Sequence, residues 1–497
     1  MTINELLTVD EMYRADAATV GGGVPSLELM EAAGQAIAEE IQDRWKKRPV
    51  AILCGPGNNG GDGFVVACLL VNARWPVTVS LLGEHGKLTG DAAINAERWQ
   101  GDIEPLTTKA LEGDPLVVDA LFGAGLARPL DGVAREIVET INARRLDCVA
   151  VDIPSGVHGD NGEILGAAPF ATLTVTFFRA KPGHVLLPGR VHCGALIVAD
   201  IGIPEMVLDD IRPQTFVNGP SLWLENYPWP RADAHKYSRG HAVVAGGETL
   251  TGAARLAAYG ARRIGAGLVT IAAPLGTFEI YAADRPGTLV KTTANTDEFQ
   301  QLLDDPRKNA VLVGPGAGVS TSTRERVIAT LSVDKGVVLD ADVFTVFEDD
   351  PGTLLAAITG DCLLTPHEGE FARVFDVDGD KLSRARAAAR ESGAVLLVKG
   401  PDTVIAAPDG RAVINASGSP DLATAGTGDV LAGMALGLIT QGMDLFGAAA
   451  AATWLHGAAA EEAGPGMIAE DLPDTVPLIL ARLLNLKAGA RLQLGAD

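Results

Sequence analysis

The sequence predicts an α/β protein of two domains. At 497 residues the chain exceeds what one ordinary core accommodates. Short apolar runs alternate with glycine-rich loops and helical patterns, once in each half, and a proline-dense stretch separates the two alternations. Hydrophobic residues make up 47% of the chain, enough for more than one buried sheet. The 58 glycines follow no collagen-like period and cluster between apolar runs, where α/β proteins put their ligand-binding loops.

In the first half, Leu27, Met30, Ala33, Gly34 and Ile37 recur at helical spacing, with Ser26 as the expected cap. Val50–Cys54 reads as a strand, followed by a glycine-rich loop and a helix around Phe64–Asn72. Val77–Leu82 is a second strand. Leu116–Val118 runs into Asp119, and Cys148–Val151 into Asp152. Such alternation predicts a parallel sheet with ligands at the strand C-termini. Ile203-Pro204, Arg212-Pro213, Gly219-Pro220, Tyr227-Pro228 and Trp229-Pro230 then interrupt it. The expected domains are residues 1–215 and 225–497. The second alternation has strands His241–Ala245, Leu268–Ala272, Val311–Val313, Val337–Leu339, Cys362–Leu364 and Val395–Val398. Val404–Ala407 and Arg411–Ile414 form a hairpin over Pro408-Asp409-Gly410, and helices end the chain.

The formal net charge of −23 disfavours nucleic-acid polymers and anionic membranes, which need a basic footprint. Small phosphorylated ligands stay admissible, because helix-start N–H groups bind them locally. Cys54, Cys68, Cys148, Cys193 and Cys362 are scattered and lack CxxC spacing, so free thiols in a reducing compartment are expected. Residues 1–16 carry four acidic residues and no basic leading segment, unlike a secretory signal. Leu445–Ala460 reads as a packed helix, too short for a membrane span. The expected location is the cytoplasm.

Gly55-Pro56-Gly57-Asn58-Asn59-Gly60-Gly61-Asp62-Gly63 follows a strand and precedes a helix. Glycines admit close ligand approach, and two asparagines with an aspartate add polar groups that a plain turn does not need. Asp119 leads into Leu121-Phe122-Gly123-Ala124-Gly125-Leu126-Ala127-Arg128-Pro129, and Asp152 into Ile153-Pro154-Ser155-Gly156. Each acid alone is as well read as a cap for the next helix. Three polar loops on one sheet edge favour a site.

In the second half, Asn415-Ala416-Ser417-Gly418-Ser419-Pro420 runs into Ala425-Gly426-Thr427-Gly428-Asp429 and an apolar helix. Gly426 and Gly428 leave amides for an anion hole, and Asp429 sits where it can take a proton from an attacking hydroxyl. The plainer reading makes Asp429 a dipole partner in the first helical turn. Val398-Lys399-Gly400-Pro401-Asp402-Thr403 and Thr365-Pro366-His367-Glu368-Gly369-Glu370 also follow strands. Gly246-Gly247, Gly252-Ala253-Ala254 and Gly314-Pro315-Gly316-Ala317-Gly318 add glycine-rich approaches.

Leu29-Met30-Glu31, Asn-Asn-Gly-Gly-Asp-Gly, Val151-Asp152-Ile153-Pro154-Ser155-Gly156 and Lys181-Pro182-Gly183 resemble the NAD(P)H-hydrate epimerase family over residues 5–205. The resemblance implies a Rossmann-like αβα domain with K+ held by Asn59, Asp119 and Ser155. It implies substrate contacts from Asn58, Asn59, Gly60, Gly61 and Asp62, from Gly123, Ala124, Gly125, Leu126, Ala127, Arg128 and Pro129, and from Asp152, which also moves protons. Residues 230–490 resemble the ADP/ATP-dependent NAD(P)H-hydrate dehydratases, which implies a ribokinase-like αβα domain. Hydrate contacts then fall on Ala253, Gly316, His367 and Asp429, with Asp429 as base. Nucleotide contacts fall on Lys399, Gly400, Pro401, Asp402, Thr403 and Gly428, with Mg2+ accompanying ADP or ATP. His367 is followed by Glu368 where that family commonly has proline. The expected partners are the small molecules NADHX or NADPHX and ADP or ATP, with no nucleic acid or membrane, in a homo-oligomer. A small-molecule kinase with an N-terminal ligand-binding domain, or a non-catalytic scaffold, are the alternatives; a kinase releases a stable phosphate ester, a dehydratase NAD(P)H and phosphate.

Overall fold

The computed structural model describes residues 4–494, with side chains to residue 485. The chain divides between Phe216 and Val217 into two compact units. In the first, seven parallel strands lie in the order Ile103–Pro105, Val77–Leu81, Val50–Cys54, Leu116–Ala120, Cys148–Val151, Leu173–Phe177, Ala195–Ala199. Central strands such as Val50–Cys54 are buried at every position, as parallel strands covered on both faces must be. Val50, Ile52 and Cys54 join one hydrophobic cluster while Ala51 and Leu53 join another, one on each side of the sheet. The strand order reverses between Val50–Cys54 and Leu116–Ala120, and open α/β sheets bind ligands at that crevice.

Two local expectations need correction. Asn58–Gly63 is not a loop before a helix; Asn58–Asn72 is one helix. Its glycines serve packing. A Cβ on Gly60 would run into the Gly55 carbonyl oxygen, and one on Gly61 would lie 2.7 Å from Met30 Sδ. Ser26 is not a cap either. Pro25, with extended backbone, precedes the helix Ser26–Arg44 and no side chain caps it. The apolar pattern also misses Ile103–Pro105, Leu173–Phe177 and Ala195–Ala199. The helix Val9–Gly21 was not expected, although Thr8 and Glu11 form a capping box there.

In the second unit the strands run Ala412–Ile414, Val404–Ala406, Val395–Val398, Cys362–Leu364, Gly336–Leu339, Ala310–Val313, His241–Ala245, Leu268–Ala273, Leu289–Thr292. All pairs among these strands are parallel except the two that Val404–Ala406 makes, with Val395–Val398 and with Ala412–Ile414. The helix Thr427–Thr440 is buried along nearly its whole length and packs on the helix Thr251–Arg263. Small residues set the closeness of that crossing. A Cβ on Gly437 would lie 2.6 Å from Ala261 O, one on Gly260 2.7 Å from Val430 O, and one on Gly433 far inside contact distance of Ala257 O. Both helices are thereby locked, and with them the amides that open Thr427–Thr440. Among the described residues no helix is long and apolar enough to cross a membrane.

Gly433→Ala is expected to destabilise the second unit by about 1–3 kcal/mol, because neither backbone can yield to the added methyl. Chemical denaturation checks this, and an unchanged midpoint would contradict the packing account.

Candidate active sites

In the first unit the crevice at the strand reversal is a cavity of about 660 Å³. Asn58, Asn59, Asp62, residues 123–128 and Asp152 line it, as do Tyr13, Asp16 and Lys181. A Cβ on Gly123 would lie 3.0 Å from Asp152 Oδ2 and 3.1 Å from Asn59 Oδ1, so glycine there lets the two polar groups converge. Gly60 and Gly61 are buried in helix packing. Pro129 lines an adjoining cavity of about 460 Å³, which shares Pro56, Phe122, Leu126 and Arg128 with the first.

Asp152 is the centre of this site. Its φ of +66° is one that non-glycine residues rarely adopt, at a cost on the order of 1–3 kcal/mol. The surroundings enforce it. Asp152 N donates to Val175 O at 2.8 Å, and Ile153 N closes a tight turn onto Val151 O at 2.8 Å. His184 Nδ1 accepts from Lys181 N at 2.9 Å, which leaves Nε2–H to donate to Asp152 O at 2.8 Å. Burial lowers the His184 pKa to about 4, with the Lys181 charge adding to it, so this neutral tautomer persists. On the carboxylate, Oδ1 accepts from Lys181 Nζ at 2.6 Å and Thr176 Oγ1 at 3.0 Å, and Oδ2 accepts from Ala124 N at 2.9 Å. Burial pushes this carboxyl up, but the Lys181 charge and the bonds from Lys181 and Ala124 outweigh it and hold the group below the usual range. Asp62 goes the other way: burial, then the charges of Asp152 and Asp16, push it well up.

In the second unit Asp429 occupies the first turn of Thr427–Thr440, after Gly426 at φ +91°. Glycine is required there, and it turns the free amides of the helix start toward the site. His456 Nε2 lies 2.9 Å from Thr427 O and pins the turn from behind. Facing Asp429, Lys399 Nζ pairs with Asp340 Oδ1 at 2.6 Å and reaches Glu370 Oε2 at 3.6 Å. Burial pushes the Asp429 carboxyl up to about 7; Asp340, Asp342 and Glu370 add to the shift and Lys399 opposes it. Burial lowers the Lys399 ammonium, but Asp340 and Glu370 over-compensate and hold it above its ordinary value.

Of the other expected residues, a Cβ on Gly428 would lie 3.7 Å from Lys399 Nζ, which puts both beside Asp429. His367 caps the helix Glu368–Val374, its Nδ1 accepting from Glu370 N at 3.1 Å. Ala253 and Gly316 meet each other, with Ala253 Cβ 3.2 Å from a Cβ built on Gly316. Gly400, Pro401, Asp402 and Thr403 form the turn after Val395–Val398. There Asp402 pairs with Lys381 at 2.8 Å and Thr403 Oγ1 donates to Gly400 O at 2.7 Å.

Residues 26–183 match the family model described as YjeF-related protein N-terminus, and residues 241–478 match that of NAD(P)H-hydrate dehydratase. The chain is 38% identical to the bifunctional NAD(P)H-hydrate repair enzyme Nnr of Moorella thermoacetica, over 96% of this chain and 97% of that protein. The chain belongs to the bifunctional NAD(P)H-hydrate repair enzyme family. The homologue from Salinibacter ruber is 37% identical over 96% of both chains. A solved ADP/ATP-dependent NAD(P)H-hydrate dehydratase from Bacillus subtilis, co-crystallised with ATP/Mg2+, is 30% identical; the match covers 52% of this chain and 94% of that one, with a TM-score of 0.45.

For a repair enzyme of this family the sequence motifs leave out the groups that tune the named acids. Lys181 appears in a quoted motif without a role, while Tyr13, Asp16, Thr176, His184, Asp340 and Asp342 are absent from the expected sites. Asp340 ends a strand as Asp119 and Asp152 do, and that position was the signal available for it.

Lys181→Met leaves Asp152 buried without its ammonium partner and is expected to cost about 3–5 kcal/mol at pH 7. The depressed Asp152 carboxyl contributes stability above its unfolded pKa and loses it as pH falls through the folded value. In the variant burial acts on Asp152 without the opposing ammonium, so its carboxyl takes up a proton at higher pH than in the wild type and the deficit shrinks as pH falls from 7. Denaturation at pH 7 and pH 4 measures it; equal deficits at both would contradict the pairing.

Proposed function

We propose that residues 1–215 interconvert the R and S forms of NAD(P)HX, and that residues 225–497 dehydrate the S form to NAD(P)H with ADP or ATP. The carrying observation is the placement of Asp429 at an amide-lined helix start beside Lys399, where burial pushes its carboxyl up to about 7. Asp429 takes the proton of the C6 hydroxyl, and that oxygen attacks the terminal phosphoryl group of the nucleotide. The amides at Gly426 through Asp429 receive the growing negative charge. Phosphate then leaves C6 as the N1 electron pair pushes in, and loss of a C5 proton restores the ring double bond. Hydroxide is a poor leaving group and phosphate a good one, which explains the nucleotide. Mg2+ neutralises and orients the nucleotide phosphates.

In the first unit Asp119 supports a cation site. Its carboxylate is buried, accepts from Ser155 N at 2.8 Å, Ser155 Oγ at 2.7 Å and Leu121 N at 3.3 Å, and makes no ion pair among the described residues. Burial raises it despite those bonds. A buried anion among oxygen donors fits a hard monovalent cation such as K+, held by Asp119, Ser155 and Asn59. Its charge would offset that of the carboxylate and fix the loops beneath the cavity.

The test is recovery of the reduced-nicotinamide absorbance when racemic hydrated NADH, magnesium and ADP or ATP meet the protein. Consumption of the whole racemate is expected. A halt at half removes the epimerase assignment, and a stable phosphate ester as product removes the dehydratase.

Asp429→Asn should lower dehydratase turnover by roughly 10²–10⁴-fold while nucleotide still binds. The base acts in its ionised form, so wild-type kcat/KM should fall about tenfold per unit as pH drops below about 7. Rate profiles on pure S epimer check both, and a flat profile from pH 5 to 8 would remove Asp429 from this role.

A further inference from the structure

The helix Val9–Gly21 lies outside the part of the chain that the family models match. It nevertheless supplies one wall of the N-terminal cavity through Val9, Met12, Tyr13, Asp16 and Val20. Spacings of three, four, seven and eleven residues put all five on one helical face. Three of them are apolar, so Tyr13 and Asp16 are the polar groups that this wall offers. The wall is fixed in position. Thr8 Oγ1 accepts from Glu11 N at 3.2 Å, Glu11 Oε2 accepts from Thr8 N at 2.8 Å, and Asp160 Oδ1 accepts from Val9 N at 2.7 Å.

Asp16 lines the cavity, as Asp62, Asp91 and Asp152 do. Its carboxyl makes no hydrogen bond or ion pair with any described residue and feels the Lys181 ammonium only through space. It faces the cavity beside Asp152 and Lys181. Asp152, by contrast, has both oxygens engaged by Lys181, Thr176 and Ala124.

We propose that Asp16 is a second catalytic residue of the epimerase, the proton donor and acceptor that works opposite Asp152. The inference rests on the epimerase reading of this cavity. C6 of the hydrate carries a hydroxyl and is bonded to ring N1, so it is a cyclic hemiaminal. Such centres lose their configuration by ring opening. Asp152 takes the hydroxyl proton, C6–O becomes a carbonyl, and the C6–N1 bond breaks with its electron pair going to N1. N1 receives a proton from the Asp16 carboxylic acid. After rotation about C5–C6, N1 adds to the other face of the carbonyl. Asp16 takes back the N1 proton and Asp152 returns its proton to oxygen, so nothing is consumed. The step needs one carboxyl ionised and one protonated at the same moment.

The electrostatics supply that pair. Burial pushes Asp16 up to about 6, with Lys181 opposing and Asp152 adding, while Asp152 is held low. The groups facing Asp16 from the other walls are Asp62, Asp152 and Lys181, with Asp91 and Arg128 also lining the cavity. Burial, then Asp152 and Asp16, raise the Tyr13 hydroxyl, which keeps it neutral. The segment 205–211, packed against the same helix, carries Glu205, paired with Arg179, and Asp209 and Asp210.

The test is epimerisation of pure R hydrate by wild type, Asp16→Asn and Asp16→Glu, with dehydratase turnover on pure S hydrate as the folding control. Asp16→Asn is expected to lose roughly 10²-fold or more in kcat with KM changed less than about threefold. Wild-type kcat/KM should decline as pH rises above about 6, a limb absent from Asp16→Asn and restored in Asp16→Glu. Wild-type kcat with an intact limb in Asp16→Asn overturns the proposal. Failure of the wild type itself to epimerise would instead remove the epimerase reading.

Discussion

Each unit is organised around a lysine, buried at 181 and half-buried at 399, that grips an aspartate at a strand end: Lys181 on Asp152, and Lys399 on Asp340, both at 2.6 Å. Removing two charges from water is costly, and the cost is offset only where geometry is close and the remaining lone pairs are satisfied. Both pairs meet that condition, since Asp152 also accepts from Thr176 and Ala124, and Lys399 also reaches Glu370. The consequence for chemistry lies next door. A lysine already committed to one aspartate cannot fully neutralise a second carboxyl, so Asp62 and Asp16 in one unit and Asp429 in the other are pushed up by burial and like charge. Ionised and protonated carboxyls coexist within one pocket, as proton transfer at neutral pH requires.

The backbone is bent to serve these pairs. Asp152 itself has φ +66°, and Ala341, the residue after Asp340, has φ +50°. Neither is a conformation that its side chain prefers, and both occur where a strand gives way to the site. Glycine acts differently. Gly426 supplies a left-handed turn at the helix start, whereas Gly60 and Gly433 are needed for the absence of a side chain, because another backbone already occupies the space. Precise placement of Asp429 thus descends from helix packing a turn or two further along.

Much of this was legible in the sequence. Continuous apolar runs such as Val50–Cys54 and Val395–Val398 marked buried parallel strands, and polar residues at their C-terminal ends marked the crevice. Asp152 was visible because it terminates such a run, and Asp429 because flanking glycines place it at the start of an apolar helix. The glycine-rich stretch at 58–63 misled, since glycine in sequence does not distinguish a flexible loop from a tightly packed helix. Leu173–Phe177 hid because its threonines break an apolar run, yet Thr174 and Thr176 are buried with their hydroxyls bonded to Cys193 O and Asp152 Oδ1. The role of Lys181 hid for a different reason: it depends on Asp152, 29 residues away in sequence, which no local pattern encodes. The capping box at Thr8 and Glu11 was a local signal for the helix that carries Asp16, as the strand-end position was for Asp340.

The most direct measurement of this sorting of charges is a carboxyl ¹³C NMR titration of aspartate-labelled protein, with Asp429→Asn and Asp152→Asn used to assign the two resonances. The Asp429 signal should move with a midpoint near 7, and the Asp152 signal should stay that of a carboxylate until well into acid. If both titrate together near the ordinary aspartate value of about 3.9, the lysine pairs do not divide the carboxyls, and the chemistry built on that division has no basis.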